Sequence, residues 1–126
     1  MTPKAQMPPA PTAPERMAPK GTVDSHLHLV GSDFPLWDGR VEDPADDASL
    51  DGWLKLYEAV MAALGIERAV LVHSIFYGTD NSLTMEAVKR MGASAKGVGL
   101  LPDEATEAQI AAFAEARMVA VRLNYV

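Results

Sequence analysis

The stretch Thr22-Val23-Asp24-Ser25-His26-Leu27-His28-Leu29 decides how the rest of the chain is read. Apolar and polar residues alternate along it, which is the period of a strand with one packed face. On simple alternation Val23, Leu27 and Leu29 share the face that packs under helices. Asp24, His26 and His28 then share the other face. An inward acid beside two inward imidazoles is costly to bury without a purpose, so the pattern favours a site over a pair of satisfied core histidines. Two imidazoles two residues apart at the C-terminal end of a strand can both reach one divalent ion, and their neutral nitrogens suit zinc, manganese or iron. Such an ion lowers the pKa of a bound water towards neutrality and makes hydroxide available for attack on a carbonyl.

Downstream, strand and helix patterns alternate. Residues 49–64 read as a helix, with Leu50, Trp53, Leu54, Tyr57, Met61 and Leu64 at helical spacing and Gly65 as its stop. Residues 67–75 form a second strand, and residues 81–91 a second helix with Asp80 as N-cap and Gly92 as terminator. Residues 95–101 make a third strand, loosened by Gly97 and Gly99. Residues 107–117 make a third helix, opened by a capping box of Thr106 and Gln109. Residues 119–126 make a fourth strand. This alternation predicts right-handed βαβ units and a parallel sheet. A doubly wound sheet would carry a Gly-rich phosphate loop after its first strand, and none follows Leu29. A (β/α)8 barrel gathers its site at the C-terminal strand ends, where the unusual residues lie. The expected fold is therefore α/β, with parallel (β/α) units over residues 21–126 forming the first half of a TIM (β/α)8 barrel, whose full length is about 250 residues.

The long loop 30–48, with Trp37, Pro35, Pro44 and several Asp residues, is long enough to cover a site. Residues 1–20 carry Pro3, Pro8, Pro9, Pro11, Pro14 and Pro19 among small and polar residues. They read as a flexible arm in preference to a proline-rich docking segment. Over the 126 residues the formal net charge is −6, which argues against nucleic acid as a partner. The absence of cysteine excludes disulfides, thiolate metal sites and a Cys nucleophile. No apolar run suits a membrane helix or a secretory signal, so the expectation is a cytoplasmic protein with no membrane partner.

On the second strand Ser74 shares a face with Val70 and Val72, while His73 faces the helices with Ala69 and Leu71 and reads as a packed structural residue. Ser74 itself is open to a cap of the next loop. Arg122 alternates with Val121 and Leu123 and shares its face with Asn124. An inward guanidinium beside Asn favours an anionic ligand, which its fork can grip bidentately. A buried salt bridge to an acid such as Asp24 is the alternative. Gly78-Thr79-Asp80-Asn81 reads as helix capping rather than as an anion-binding turn. Trp53 belongs to the core, and Trp37 to the long loop.

The segment Asp24-Ser25-His26-Leu27-His28-Leu29-Val30-Gly31 resembles the Asp-X-His-X-His-X-Phe-Gly opening of the lactone-hydrolysing branch of the amidohydrolase superfamily, the 2-pyrone-4,6-dicarboxylate lactonases and their relatives. Residues 74–81, Ser-Ile-Phe-Tyr-Gly-Thr-Asp-Asn, are similar to the Ser-X-X-X-Gly-Thr-Asp-Asn that follows strand two in that branch. Residues 119–126 are similar to its strand-four pattern Gly-Val-Arg-Phe-Asn-Phe. The resemblance covers residues 21–126. It implies that His26 and His28 are catalytic, holding a metal or orienting substrate, and that Ser74, Arg122 and Asn124 bind substrate. It implies one divalent ion, zinc or manganese, with which some members dispense. The implied reaction is hydrolytic opening of a small anionic lactone that bears a carboxylate. Two departures bear on this. The branch's substrate-touching Tyr has no match between Phe34 and Ala48, and its later histidines and strand-eight Asp, the expected general base, have no counterpart. The chain alone is thus expected to be poorly active or inactive, and a second copy or a C-terminal half barrel could close it. A related decarboxylase on the same fold, or a non-catalytic half-barrel binding protein, are the alternatives.

Overall fold

The computed structural model describes residues 1–124. Four strands, β1 (Val23–Leu27), β2 (Arg68–Val72), β3 (Ala95–Gly99) and β4 (Met118–Val121), alternate with α1 (Leu50–Leu64), α2 (Ser82–Met91) and α3 (Glu107–Glu115). A 3-10 turn, Ile75–Tyr77, follows β2, and a second, Gly92–Ser94, precedes β3. The strands form one parallel sheet in the order β1-β2-β3-β4. Every expected element is present, and the strands are shorter than expected at their C-terminal ends. His28, Ser74, Arg122 and Asn124 therefore lie just past strands rather than in them. Of the expected fourth strand, residues 125 and 126 lie outside the described residues.

The helix ends follow from their caps. The Ser49 side chain accepts from the Gly52 N–H, and Gly65 closes α1 in the left-handed region at φ 76°. At α3 the Thr106–Gln109 capping box is formed in both directions. α2 departs from expectation. Asp80 does accept from the Ser82 N–H at 2.9 Å, but Asn81 occupies the N-cap position without capping the helix. Its amide turns to β3 instead, donating to the Leu100 carbonyl and accepting from the Leu100 N–H. An amide can meet both groups because it carries a donor and an acceptor.

The core lies on one side of the sheet. Ala69, Leu71, Ala95 and Met118 from the strands pack with Leu50, Leu54 and Tyr57 of α1, with Leu83, Ala87 and Val88 of α2, and with Phe113 of α3. Gly97 and Gly99 do more than loosen β3. A Cβ at Gly97 would collide with the Met118 sulfur, and one at Gly99 would lie 2.7 Å from the Asn81 Oδ1 and against the Phe113 ring. Their missing side chains let β4 and α3 close on the sheet.

The two inner strands pair in regular register, and both outer strands carry a one-residue bulge. On β1, Asp24 pairs with Ala69 and Leu27 with Leu71, three steps against two. On β4, Met118 pairs with Gly97 and Ala120 with Val98, two steps against one. Ala69, Leu71 and Gly97 face the helices, so Asp24, Leu27 and Met118 do as well. Without the extra residue, alternation from Asp24 would carry His26 and His28 under α1. Alternation from Met118 would likewise carry Arg122 under α3. The bulges turn all three to the opposite, inner face. The expectation that Asp24 shares the histidines' face is thereby corrected. Val23 is corrected too: it pairs with Arg68 and stays 40% exposed.

Residues 1–20 have no helix or strand of their own, but they touch the body at several points. Lys4 bridges to Asp43, the Ala18 N–H donates to the Leu64 carbonyl, and Pro8 and Pro9 lie with Leu27, Trp53 and Tyr57 around a cavity of about 210 Å³. The loop after β1 is pinned along its length. Tyr77 donates to the Gly31 carbonyl, Asp33 accepts from the Leu50 N–H, and the Trp37 N–H donates to the Phe76 carbonyl. No helix among the described residues is long and apolar enough to cross a membrane.

Candidate active site

β1 delivers two imidazoles to the C-terminal rim of the sheet. The Nε2 atoms of His26 and His28 stand 3.3 Å apart, with the rings edge to face at 89°, and both residues are exposed. His28 Nδ1 lies 2.8 Å from the Val72 carbonyl. A carbonyl only accepts, so Nδ1 carries the proton and Nε2 presents its lone pair to His26. In this arrangement His26 Nε2–H donates to His28 Nε2. Replacing that proton by an ion would turn both lone pairs onto it. Two nitrogens bound tetrahedrally to one zinc, each at about 2.0–2.1 Å, sit roughly 3.3 Å apart, which is the spacing observed here. The pair thus fits two positions of a metal site. Among the described residues no third acid or histidine joins it.

β4 delivers Arg122 to the same rim. Its Nη1 donates at 2.7 Å to the carbonyl of His73, the residue after Val72. His28 from one side and Arg122 from the other are therefore held by two successive carbonyls at the end of β2. The expected alternative, a salt bridge from Arg122 to Asp24, does not form, because the β1 bulge puts Asp24 on the helix side. Arg122 and Asn124 line a cavity of about 280 Å³ with Thr79, Leu100, Pro102 and Asp103. The histidines do not line it. Ser74 is buried, and its oxygen accepts from the Phe76 N–H at 3.4 Å, capping the 3-10 turn.

His73 is fully buried on the helix side. Its Nε2–H donates to the Gly78 carbonyl at 2.7 Å, and Nδ1 is left as the acceptor facing the Thr84 hydroxyl at 3.4 Å. Burial pulls its pKa below the ordinary value, and the Arg122 charge adds to this against the opposing bond to Gly78. Trp37 lies over Gly78, with its ring 3.1 Å from where a Cβ would stand. A larger cavity of about 650 Å³, lined by Met85, Lys89, Glu115 and Arg117 among others, opens between α2 and α3 away from these residues.

Three participants escaped the sequence reading. The Val72 and His73 carbonyls are backbone atoms and leave no mark in side-chain patterns. Tyr57 reads as one more residue on the apolar face of α1. Yet its hydroxyl donates to Asp24 Oδ2 at 2.9 Å, while Asp24 Oδ1 accepts from the His26 N–H at 3.2 Å. Burial first, and then the Asp24 carboxylate, push the Tyr57 phenol above its ordinary pKa, so it remains a donor.

The sequence profile of the amidohydrolase family matches residues 23–126. The chain belongs to the amidohydrolase family. Among curated relatives, it is 41% identical over 99 residues to a 4-sulfomuconolactone hydrolase of Rhizobium radiobacter, covering 76% of this chain and 31% of that one. It is 31% identical over 118 residues to a 2-pyrone-4,6-dicarboxylate hydrolase of Comamonas testosteroni, covering 92% of this chain and 37% of that one. Among solved structures it superposes, with a TM-score of 0.65 and 31% identity, on a Pseudomonas putida protein described as a candidate 2-pyrone-4,6-dicarboxylic acid hydrolase, covering 81% of this chain and 36% of that one. The amidohydrolase chain thus spans about a third of the length of the relatives it matches. Its parallel four-strand sheet with helices on one side is the first part of the barrel of this family.

Proposed function

We propose that the chain forms the first half of a lactone-hydrolysing amidohydrolase barrel, and that its substrate is a small lactone bearing a carboxylate. One observation carries this reading: His28 and Arg122, from opposite edges of the sheet, are fixed on adjacent carbonyls at one rim. A hydrolase needs a group that polarises the ring carbonyl and a group that holds the rest of the ring still. His26 and His28 supply the first. Arg122 supplies the second, since its bond to His73 leaves other guanidinium donors for a substrate carboxylate. Asn124 adds a neutral hydrogen-bonding group beside it, and the Ser74 hydroxyl hydrogen adds a donor. The names of the relatives above agree with a lactone as substrate class.

In the hydrolysis a water oxygen bonds to the ring carbonyl carbon. The ring C–O bond then breaks, leaving a carboxylate and a hydroxyl that takes up the proton. The base that accepts the proton from water is supplied from outside the described residues. His26 and His28 would hold a divalent ion, zinc or manganese, as two of its ligands, and when bound it would polarise the ring carbonyl or the attacking water. The reading is tested by following loss of the ring absorbance of 2-pyrone-4,6-dicarboxylate with a protein that carries this chain within a complete barrel. Turnover is expected, and replacing His26 and His28 together by Ala is expected to lower kcat by about a thousandfold or more. Near-normal turnover in that double variant would overturn the assignment.

A further inference from the structure

Resting on the reading of His26 and His28 as the reacting pair, we propose that Asp24 and Tyr57 are its positioning residues: they clamp the β1 bulge that turns both imidazoles to the inner face and fixes their spacing. An extra residue in a strand breaks the ladder and leaves backbone groups to be satisfied elsewhere. Here the His26 N–H, inside the bulge, is met by Asp24 Oδ1 at 3.2 Å. The other oxygen of the same carboxylate takes the Tyr57 hydroxyl of α1 at 2.9 Å. One carboxylate therefore ties the irregular peptide to the helix behind the sheet. A register change by one residue turns every following side chain over. In a straight β1, either Asp24 would leave the helix side or both histidines would be driven under α1. The clamp selects the one arrangement that keeps the acid behind the sheet and the imidazoles in front of it. Neither Asp24 nor Tyr57 bonds to an imidazole ring atom, so their influence passes through the His26 backbone.

The chain can be tested without substrate. The wild type, Tyr57→Phe and Asp24→Asn are compared with Leu54→Ala, which loosens α1 against the sheet without touching the carboxylate. The readouts are the imidazole 15N–1H spectrum of the metal-free protein and a zinc titration followed on the same spectrum. In the wild type, His28 is expected to show the Nδ1–H form and His26 Nε2 a hydrogen-bonded proton. In Tyr57→Phe and Asp24→Asn, the His26 ring signals should move to those of a free, exposed imidazole, and zinc should bind about tenfold to a hundredfold more weakly, with helix content retained. Leu54→Ala should lower the Tm and leave the ring signals in place. If Tyr57→Phe leaves the imidazole spectrum unchanged, or if Leu54→Ala alters it equally, the positioning role is wrong. Should Asp24→Asn fail to fold, Tyr57→Phe decides alone, since it removes one oxygen. If the wild type takes up no zinc while the metal-free spectra still differ as expected, the metal reading falls and the positioning pair stands.

Discussion

At the scale of single residues, two neighbouring histidines have opposite surroundings. His73 is sealed between Gly78 and Thr84, with both ring nitrogens engaged, while His28, at the end of the adjacent strand, is exposed with one nitrogen held and the other presented. This difference was legible in advance, because alternation along β2 puts His73 with Ala69 and Leu71. Buried neutral histidine also makes stability depend on pH. Desolvation holds the folded-state pKa of His73 below the ordinary 6.5, so as pH falls through that value the unfolded chain binds a proton that the folded chain does not. Stability should be level above it and decline below it, until the folded-state pKa is reached. Denaturant midpoints at about pH 8 and pH 5.5, on either side of the ordinary His pKa, should differ in the wild type and differ less in His73→Gln. An undiminished difference in the variant would assign the titration to another group. The tie from Asn81 to Leu100 was illegible by contrast: Asp80 and Asn81 are both good N-cap residues, and only the nearness of Leu100, set by the folded sheet, draws the amide away from the helix end.

At the scale of elements, helices were the easier half. Their spacing, stops and caps are local signals, and Ser49, Gly65, Thr106 and Gln109 act as their residue types suggest. Strand registers were harder, because a bulge is specified by what lies across the ladder. Alternation read back from Leu27 assigned His26 and His28 to the inner face correctly and failed upstream of the bulge, at Asp24 and Val23. Arg122 reaches that face only through the β4 bulge. Bulges gather at the rims of barrels and beside active sites, where they re-aim a side chain, and both outer strands here use one for that purpose. The inner strand β3 is straight and depends on its glycines. Gly97→Ala would push a methyl into the Met118 sulfur and to 3.1 Å from Val88 Cγ2. This should cost about 1–3 kcal/mol, read as a lower denaturation midpoint, and the double variant with Met118→Ala should recover part of the loss. A Gly97→Ala protein of wild-type stability would show that β4 can shift aside freely.

At the scale of the whole molecule, the parallel architecture was legible from the alternation of elements, and the half-barrel reading from four strands whose notable residues all sit at one end. The sheet has two outer strands, β1 and β4, and neither has a second strand partner among the described residues. Beside β4, Val119, Val121 and Leu123 are 55%, 45% and 73% exposed. Edges of this kind recruit further strands. In isolation the chain is expected to associate as its concentration rises. Light scattering should show this, and the double variant Val119→Lys, Val121→Lys should weaken it. A wild-type chain that stays monomeric over the whole accessible range would contradict the expectation. One feature of the rim reaches further. Because the imidazole and the guanidinium both hang from successive carbonyls at the end of β2, that strand end acts as a gauge of their separation. If a ring is bound between them as proposed, remodelling the loops would change only what covers it, and a molecule too short to span the gauge would engage one end alone.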